Sequence, residues 1–346
     1  MLPDPLLLVL AAAALDRVLG DPRAWLHPVQ VMGWWIGGLR RAAEHWAGDR
    51  PGRLRLAGIG ITLAVVGLSA TAGWMVERLS LVGTLGRVVL VVALASALAG
   101  RSLEQGVQTV LNALPPAAAP PDERGPQLEP ARRTLGWIVG RDTAGLGRGE
   151  ILRALAETAS ENAVDGLFAP LFWMLVGAGV MGLWPLAPGP LSLAWAFKAA
   201  STLDSMLGYR RGRLTWLGTA GARLDDLLVW LPCRLVALSL PLVQGHGLPA
   251  GLALLKRALQ DGAPDPSPNA GVSQAAYAHA VQVQLGGSNS YGGVRSRKPL
   301  LAAGCPRPER AAVDTMLRLS RRLELLWLAV AVLAAIGATF ITKALS

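Results

Sequence analysis

The sequence predicts an all-α protein that threads a lipid bilayer several times, and three observations carry that reading. Hydrophobic residues make up 52% of the chain, charged residues only 16%, and the mean hydropathy is +0.40. Soluble domains carry about 25% charged residues. The apolar residues gather into stretches at 5–19, 54–76, 82–100, 167–184, 191–208, 227–244 and 324–345, and most arginines fall between them. A helix needs about 20 apolar residues to cross hydrocarbon. The expectation is one polytopic integral membrane domain over 1–346, with roughly five to seven spans.

Taken in order, the stretch 5–19 is short. It has no basic run before it and carries Asp4, so it reads as a retained membrane segment rather than a cleaved leader. The stretches 54–76, 82–100, 167–184 and 324–345 are long enough to span. Arg87, inside the second of these, is expected to snorkel or to face a partner. In 191–208, Lys198 and Asp204 leave only the first half compatible with lipid. The piece 248–259 is too short to span and holds Lys256 and Arg257, which suits an interfacial or re-entrant helix.

The connections are unequal. Those at 77–81, 184–190 and 245–249 have few charges, whereas 16–53, 101–166, 209–226 and 260–323 hold most of the arginines. By the positive-inside rule the long connections, with the short helices they carry, lie on the cytoplasmic side of the cell (inner) membrane. Segment 115–130, PPAAAPPDERGPQLEP, reads as a mobile proline-rich loop. The net charge of +10, from 33 Lys and Arg against 23 Asp and Glu, needs no nucleic acid, since no arginine-rich groove motif with interleaved aromatics occurs. Cys233 and Cys305 form no disulfide framework or zinc spacing.

Four polar blocks stand beside the apolar stretches. The first, LDRVLGDPRAWLHPVQVMG, places Asp16, Asp21, Arg23 and His27 in a backbone stiffened by Pro22 and Pro28. An ordinary juxtamembrane loop explains it equally well. The second, RDTAGLGRGEILRALAETASENAVDGLFAPLFW, runs unbroken into an apolar segment. Over 149–162 it reads as a helix with Arg153, Glu157 and Glu161 on one face. That stripe is either a solvated face or a set of oxygen ligands of the kind Mg²⁺ prefers. The third, KAASTLDSMLGYRRGRLTWLGTAGARLDDLLVW, combines Asp204, Arg210, Arg211, Arg213, Arg223, Asp225 and Asp226. Helix capping and headgroup anchoring are its plain alternatives. The fourth, DGAPDPSPNAGVSQAAYAHAVQVQLGGSNSYGG, sets Asp265, Ser267 and Asn269 in a proline-stiffened loop. It then flanks Ser288, Asn289 and Tyr291 with Gly286, Gly287, Gly292 and Gly293. Glycines let backbone amides approach an anion closely, although the P-loop spacing is absent.

Together and in this order, the four blocks resemble the CobD/CbiB family of cobalamin biosynthesis, the adenosylcobinamide-phosphate (cobinamide) synthases. The resemblance covers nearly the whole chain, with departures at Ser201, Asp265, Ser288 and Ser290. It implies an amide-forming ligase. One propionate carboxylate of adenosylcobyric acid would be joined to aminopropanol or its O-phosphate, with ATP and Mg²⁺. On that reading the catalytic candidates are Glu157, Glu161, His27 and Asp204, and the metal candidates are Glu161, Asp225 and Asp226. Candidate substrate contacts are Asp21, Arg23, Arg141, Asp142, Asn162, Asp165, Lys198, Arg223, Ser267, Asn269, Gly286, Gly287, Asn289 and Tyr291. The implied partners are the corrinoid and aminopropanol substrates, the lipid bilayer and other late cobalamin-biosynthesis enzymes. A membrane carrier for a corrinoid or phosphorylated substrate is the alternative. Carriers tend to place polar groups at mid-span within internal repeats; here they cluster in long connections and no repeat stands out.

Overall fold

The computed structural model describes residues 4–21, 26–116 and 125–345. Its helices are α1 (Asp4–Leu19), α2 (Pro28–Ala47), α3 (Pro51–Leu79), α4 (Thr84–Ala95), α5 (Gly100–Ala113), α6 (Glu129–Leu135), α7 (Arg148–Ala163), α8 (Ala169–Leu183), α9 (Pro190–Leu207), α10 (Leu214–Leu217), α11 (Thr219–Ser239), α12 (Leu248–Gly262), α13 (Ala270–Val281) and α14 (Arg310–Leu345). Between α13 and α14 lies one antiparallel hairpin, β1 (Leu285–Tyr291) and β2 (Val294–Leu301). Several helices open on a proline at their first turn, among them α2, α3, α8 and α9. There the missing N–H costs nothing and the fixed φ suits the helix.

The chain is an all-α membrane protein apart from that hairpin. Four helical stretches are long and apolar enough to cross a membrane: Pro51–Leu79, Arg148–Leu183, Thr219–Gln244 and Arg310–Phe340. The count rises to five if α4 and α5, bent by 42° at their junction, make one broken span. This meets the low end of the expected number. The stretch 82–100 is not one straight span, because α4 is only 12 residues long. α1, at 16 residues, is too short. α9 carries Lys198 and Asp204 and is not among the four. In the apolar window of α14 only 11% of residues are buried, as expected of a helix facing lipid.

The residues form two compact units: Met1–Arg101, Asp165–Val229 and Trp327–Ser346 in the first, Ser102–Val164 and Trp230–Leu326 in the second. In the first unit α2, α3, α9 and α10 share a core of Met32, Ile36, Leu54, Ile61, Val65, Leu203 and Leu217. The backbones of α3 and α9 touch at Gly73, where a Cβ would lie 2.8 Å from Ser192 Cα. Glu77, fully buried at the end of α3, accepts N–H bonds from Gly189, Leu191 and Ser192 at 2.7–3.0 Å. Its carboxylate thereby satisfies the first amides of α9.

In the second unit α7, α12, α13 and the hairpin pack together, with Ile151, Leu155, Val272, Ala275, Tyr277 and Leu285 buried. α12 and α13 meet through glycine: a Cβ on Gly262 would lie 2.6 Å from the Gly271 carbonyl carbon. Of the proline-rich segment 115–130, residues 117–124 lie outside the described ones. Its end is ordered as a 3₁₀ turn, Pro126–Leu128, whose Leu128 is buried.

Candidate functional site

In the second unit the side chains of α7 tie three distant segments together. Glu157 is 1% exposed and both its oxygens are occupied. Oε2 accepts from Arg141 Nη2. Oε1 accepts from Arg153 Nη1 at 2.8 Å and from Gly286 N at 2.9 Å. Arg153, one helical turn before Glu157, also donates to the Gly286 and Ser288 carbonyls, each at 2.9 Å. Arg141 donates to Asn289 Oδ1 at 2.8 Å. Asn289 is 6% exposed and its buried Nδ2 has no hydrogen-bond partner among the described residues. Glu157 thus sits between two guanidinium groups, whose ion pairs offset the cost of burying its carboxylate.

Next to this knot, Asp142 holds the tip of the hairpin. It accepts from Ser290 Oγ at 2.6 Å, Gly293 N at 2.8 Å and Gly292 N at 2.9 Å. These bonds, led by that of Ser290, hold its carboxyl below the usual carboxylate range. Gly292 and Gly293 have φ of +58° and +80°, the left-handed conformation that such a turn needs.

Further along α7, a second cluster forms around Glu161. Its Oε2 accepts from the buried Gln274 Nε2 at 2.6 Å. Lys298 and Asp265 lie in its field, and Lys298 Nζ stands 3.3 Å from Asp265 Oδ2. Burial pushes the Lys298 ammonium down, but Glu161 and Asp265 more than compensate, so it is held above the usual lysine range. Asp265, Ser267 and Asn269 brace their own loop. Asp265 Oδ1 accepts from Ser267 N, and Ser267 Oγ accepts from Asn269 N and Ala270 N. Arg234 closes the loop from α11 by donating to Asn269 Oδ1 and to Pro268 O.

The first unit gathers the other predicted residues. Lys198 sits in the field of Asp165, Asp21 and Asp225. Asp225 sits in that of Asp204, Asp226 and Lys198, and its buried Oδ1 has no hydrogen-bond partner among the described residues. Asp226 faces the fields of Arg223 and Arg210. His27 is the N-cap of α2: its Nδ1 accepts from Val29 N at 3.2 Å, and its Nε2 lies 3.4 Å from Asp21 Oδ1. Arg23 falls outside the described residues.

The sequence-predicted residues therefore fall into two groups. Arg141, Asp142, Glu157, Glu161, Ser267, Asn269, Gly286, Gly287 and Asn289 share the second unit's network or its immediate backbone. Asn162 is exposed on α7 and is not drawn into it by a described contact, whereas Tyr291, 40% exposed at the hairpin tip, reaches it only through the field it exerts on Lys298. Asp21, His27, Asp165, Lys198, Asp204, Arg223, Asp225 and Asp226 belong to the first unit. Sequence reasoning passed over Gln274 and Arg234, and it gave Asp265 and Lys298, both noted in or just beyond the fourth block, no individual role. Their meeting depends on chain segments far apart, and no local spacing announces it. Among the described residues no three Asp, Glu, His or Cys side chains are placed to hold a metal ion. A bound Mg²⁺ would thus take one or two carboxylates here and complete its shell from substrate oxygens and water.

The family model described as CobD/Cbib protein matches residues 9–320. The chain is 42% identical over 297 residues to "Cobalamin biosynthesis protein CobD" of Synechocystis sp., covering 85% of this chain and 81% of that one. It is 39% identical to "Cobalamin biosynthesis protein CobD" of Geobacter metallireducens, over 85% of each chain. To "Cobalamin biosynthesis protein CbiB" of Salmonella typhi it is 36% identical, over 92% of each. No solved structure matches.

Proposed function

Because this chain belongs to the CobD/CbiB family, we propose that it acts in cobalamin biosynthesis as an amide-forming ligase. It joins aminopropanol or its O-phosphate to a propionate carboxylate of adenosylcobyric acid at the cytoplasmic face of the inner membrane. The observation that carries the reading is the Glu161 cluster. One carboxylate, held by Gln274, lies in the field of a protonated lysine and a second carboxylate. Such a mixed-charge group serves proton transfer and anion binding together, and a membrane anchor has no use for it.

Amide formation from a carboxylate first needs activation, most simply as an acyl phosphate formed with ATP. The amine then attacks the acyl carbon, the C–O bond to phosphate breaks, and a proton leaves the nitrogen. In this scheme Lys298 offsets the negative charge gathering on the acyl and phosphoryl oxygens. Glu161 accepts the ammonium proton that must be lost before attack. Glu157 and Arg153 act one step removed: they fix the hairpin so that Lys298, on β2, stays in place. In the first unit, Asp225, whose buried Oδ1 has no hydrogen-bond partner among the described residues, fits a cation-ligand role, with Asp226 beside it. A Mg²⁺ held there would supply charge neutralisation to oxygens of an anion bound in the first unit.

The test uses the purified full-length chain in detergent with adenosylcobyric acid, aminopropanol O-phosphate, ATP and Mg²⁺, read by mass spectrometry. Formation of the condensed corrinoid, lost at least about 100-fold in Glu161→Gln and in Lys298→Met with both variants still folded at the assay temperature, is the expected result. An inert wild-type protein, with ATP untouched, would refute the reading.

A further inference from the structure

The second unit contains a cleft of about 370 Å³ between the first turn of α7 and strand β1. Gly149, Glu150, Arg153, Gly287, Ser288 and Arg307 are among the residues that line it. Its charges are in different states. Arg153 spends both Nη atoms on Glu157 and on the Gly286 and Ser288 carbonyls. Glu150 is turned back to accept from Gly147 N at 2.9 Å. Arg307, in contrast, has no hydrogen-bond or ion-pair partner among the described residues.

The floor of the cleft is left open by glycine. A Cβ on Gly149 would meet only Arg307 Nη1, at 4.0 Å, which puts that guanidinium over the floor. A Cβ on Gly287 would meet only Leu300 Cδ2, at 3.8 Å. The space is larger than a bare phosphate needs and is of the order taken by small-molecule ligands. A guanidinium without a protein carboxylate presents a planar fork of donors that matches two oxygens of a phosphoryl group.

We infer that this cleft binds a phosphoryl dianion, with Arg307 as the ligand-facing cation and Gly149 and Gly287 as the clearance for it. The inference rests on the ligase reading only for the source of that group, which is either the nucleotide or the phosphate ester of the amino alcohol. A cleft formed by one arginine-tipped loop and the clamped hairpin suits either, since both present the same dianion.

Calorimetric titration of the full-length protein in detergent with inorganic phosphate tests the site without turnover. Wild type is expected to bind. Arg307→Glu and Gly149→Val are each expected to weaken binding at least about ten-fold, the first by charge and the second by filling the floor. Arg295→Glu, on the exposed outer strand, is expected to leave it unchanged. Absence of phosphate binding by wild type would overturn the inference, as would unchanged affinity in Arg307→Glu with an intact thermal transition. Competition then fixes the source: aminopropanol O-phosphate displacing phosphate better than ATP assigns the small ester, and the reverse assigns the nucleotide. Phosphate binding without any amide product would sink the ligase reading and leave the site standing. Amide formation without phosphate binding would do the opposite.

Discussion

Glu157 and Glu161 lie one helical turn apart on α7, yet their surroundings assign them different work. Glu157 is buried with both oxygens occupied, so removing it strands two guanidinium groups. Glu157→Ala is expected to cost about 3–5 kcal/mol of stability, measured as a fall in the thermal or denaturant midpoint. Glu161→Gln keeps the shape and an oxygen to accept from Gln274, so its cost is expected to be smaller, about 1–2 kcal/mol. Equal destabilisation by both would remove the distinction between holding and reacting. Asp142 gives a pH dependence with a definite sign. Its folded carboxyl is held low by Ser290, Gly293 and Gly292. Its contribution is therefore fully present above the ordinary aspartate range and is lost as pH falls through the depressed value. Protection of the Gly292 and Gly293 amides, taken relative to their intrinsic exchange rates, should fall under acid in wild type and should already be low at neutral pH in Asp142→Asn. The i, i+4 spacing of Arg153 and Glu157 was legible in the sequence. That Glu157 would be saturated was not, because two of its three donors come from residues 141 and 286.

At the level of elements, the β1–β2 hairpin is the feature that sequence reasoning missed. GGSNSY and RSRKPL show neither alternating hydrophobicity nor β-branched enrichment, the usual marks of a strand. The hairpin forms because its backbone is bound from outside, by Glu157 and Arg153 at Gly286 and Ser288 and by Asp142 at the turn. Gly286 has φ +83°, and a Cβ there would lie 1.9 Å from the Pro299 carbonyl oxygen. Gly286→Ala is thus expected to cost more than about 2 kcal/mol. Gly337→Ala, with nothing within 4 Å of its Cβ on α14, should be neutral or slightly stabilising. Thermal unfolding of the two variants side by side checks this. The long helices were easier to read, since apolar length alone places α3, α8 and α14. The break at α4–α5 escaped notice because Ala and Ser carry the apolar pattern across 96–99 while the backbone turns.

For the whole molecule, the arrangement of charge sets the expected topology. The positive-inside rule puts the hairpin on the cytoplasmic side and the connection 184–190 on the other. In a background lacking Cys233 and Cys305, a cysteine at position 186 should react with a membrane-impermeant maleimide in intact cells. A cysteine at 295 should react only after lysis. The reverse pattern would invert the topology and remove the polar clusters from the ATP-containing compartment. Family membership was visible in the four ordered blocks, but the division of their residues between two compact units was not, because that division depends on contacts between segments far apart in the chain. The most direct test of the central claim uses adenosylcobyric acid labelled with ¹⁸O in its free propionate. Activation as an acyl phosphate predicts that each new amide is accompanied by one phosphate carrying a single ¹⁸O. Product formation with unlabelled phosphate would contradict that activation, and the absence of product would contradict the ligase itself.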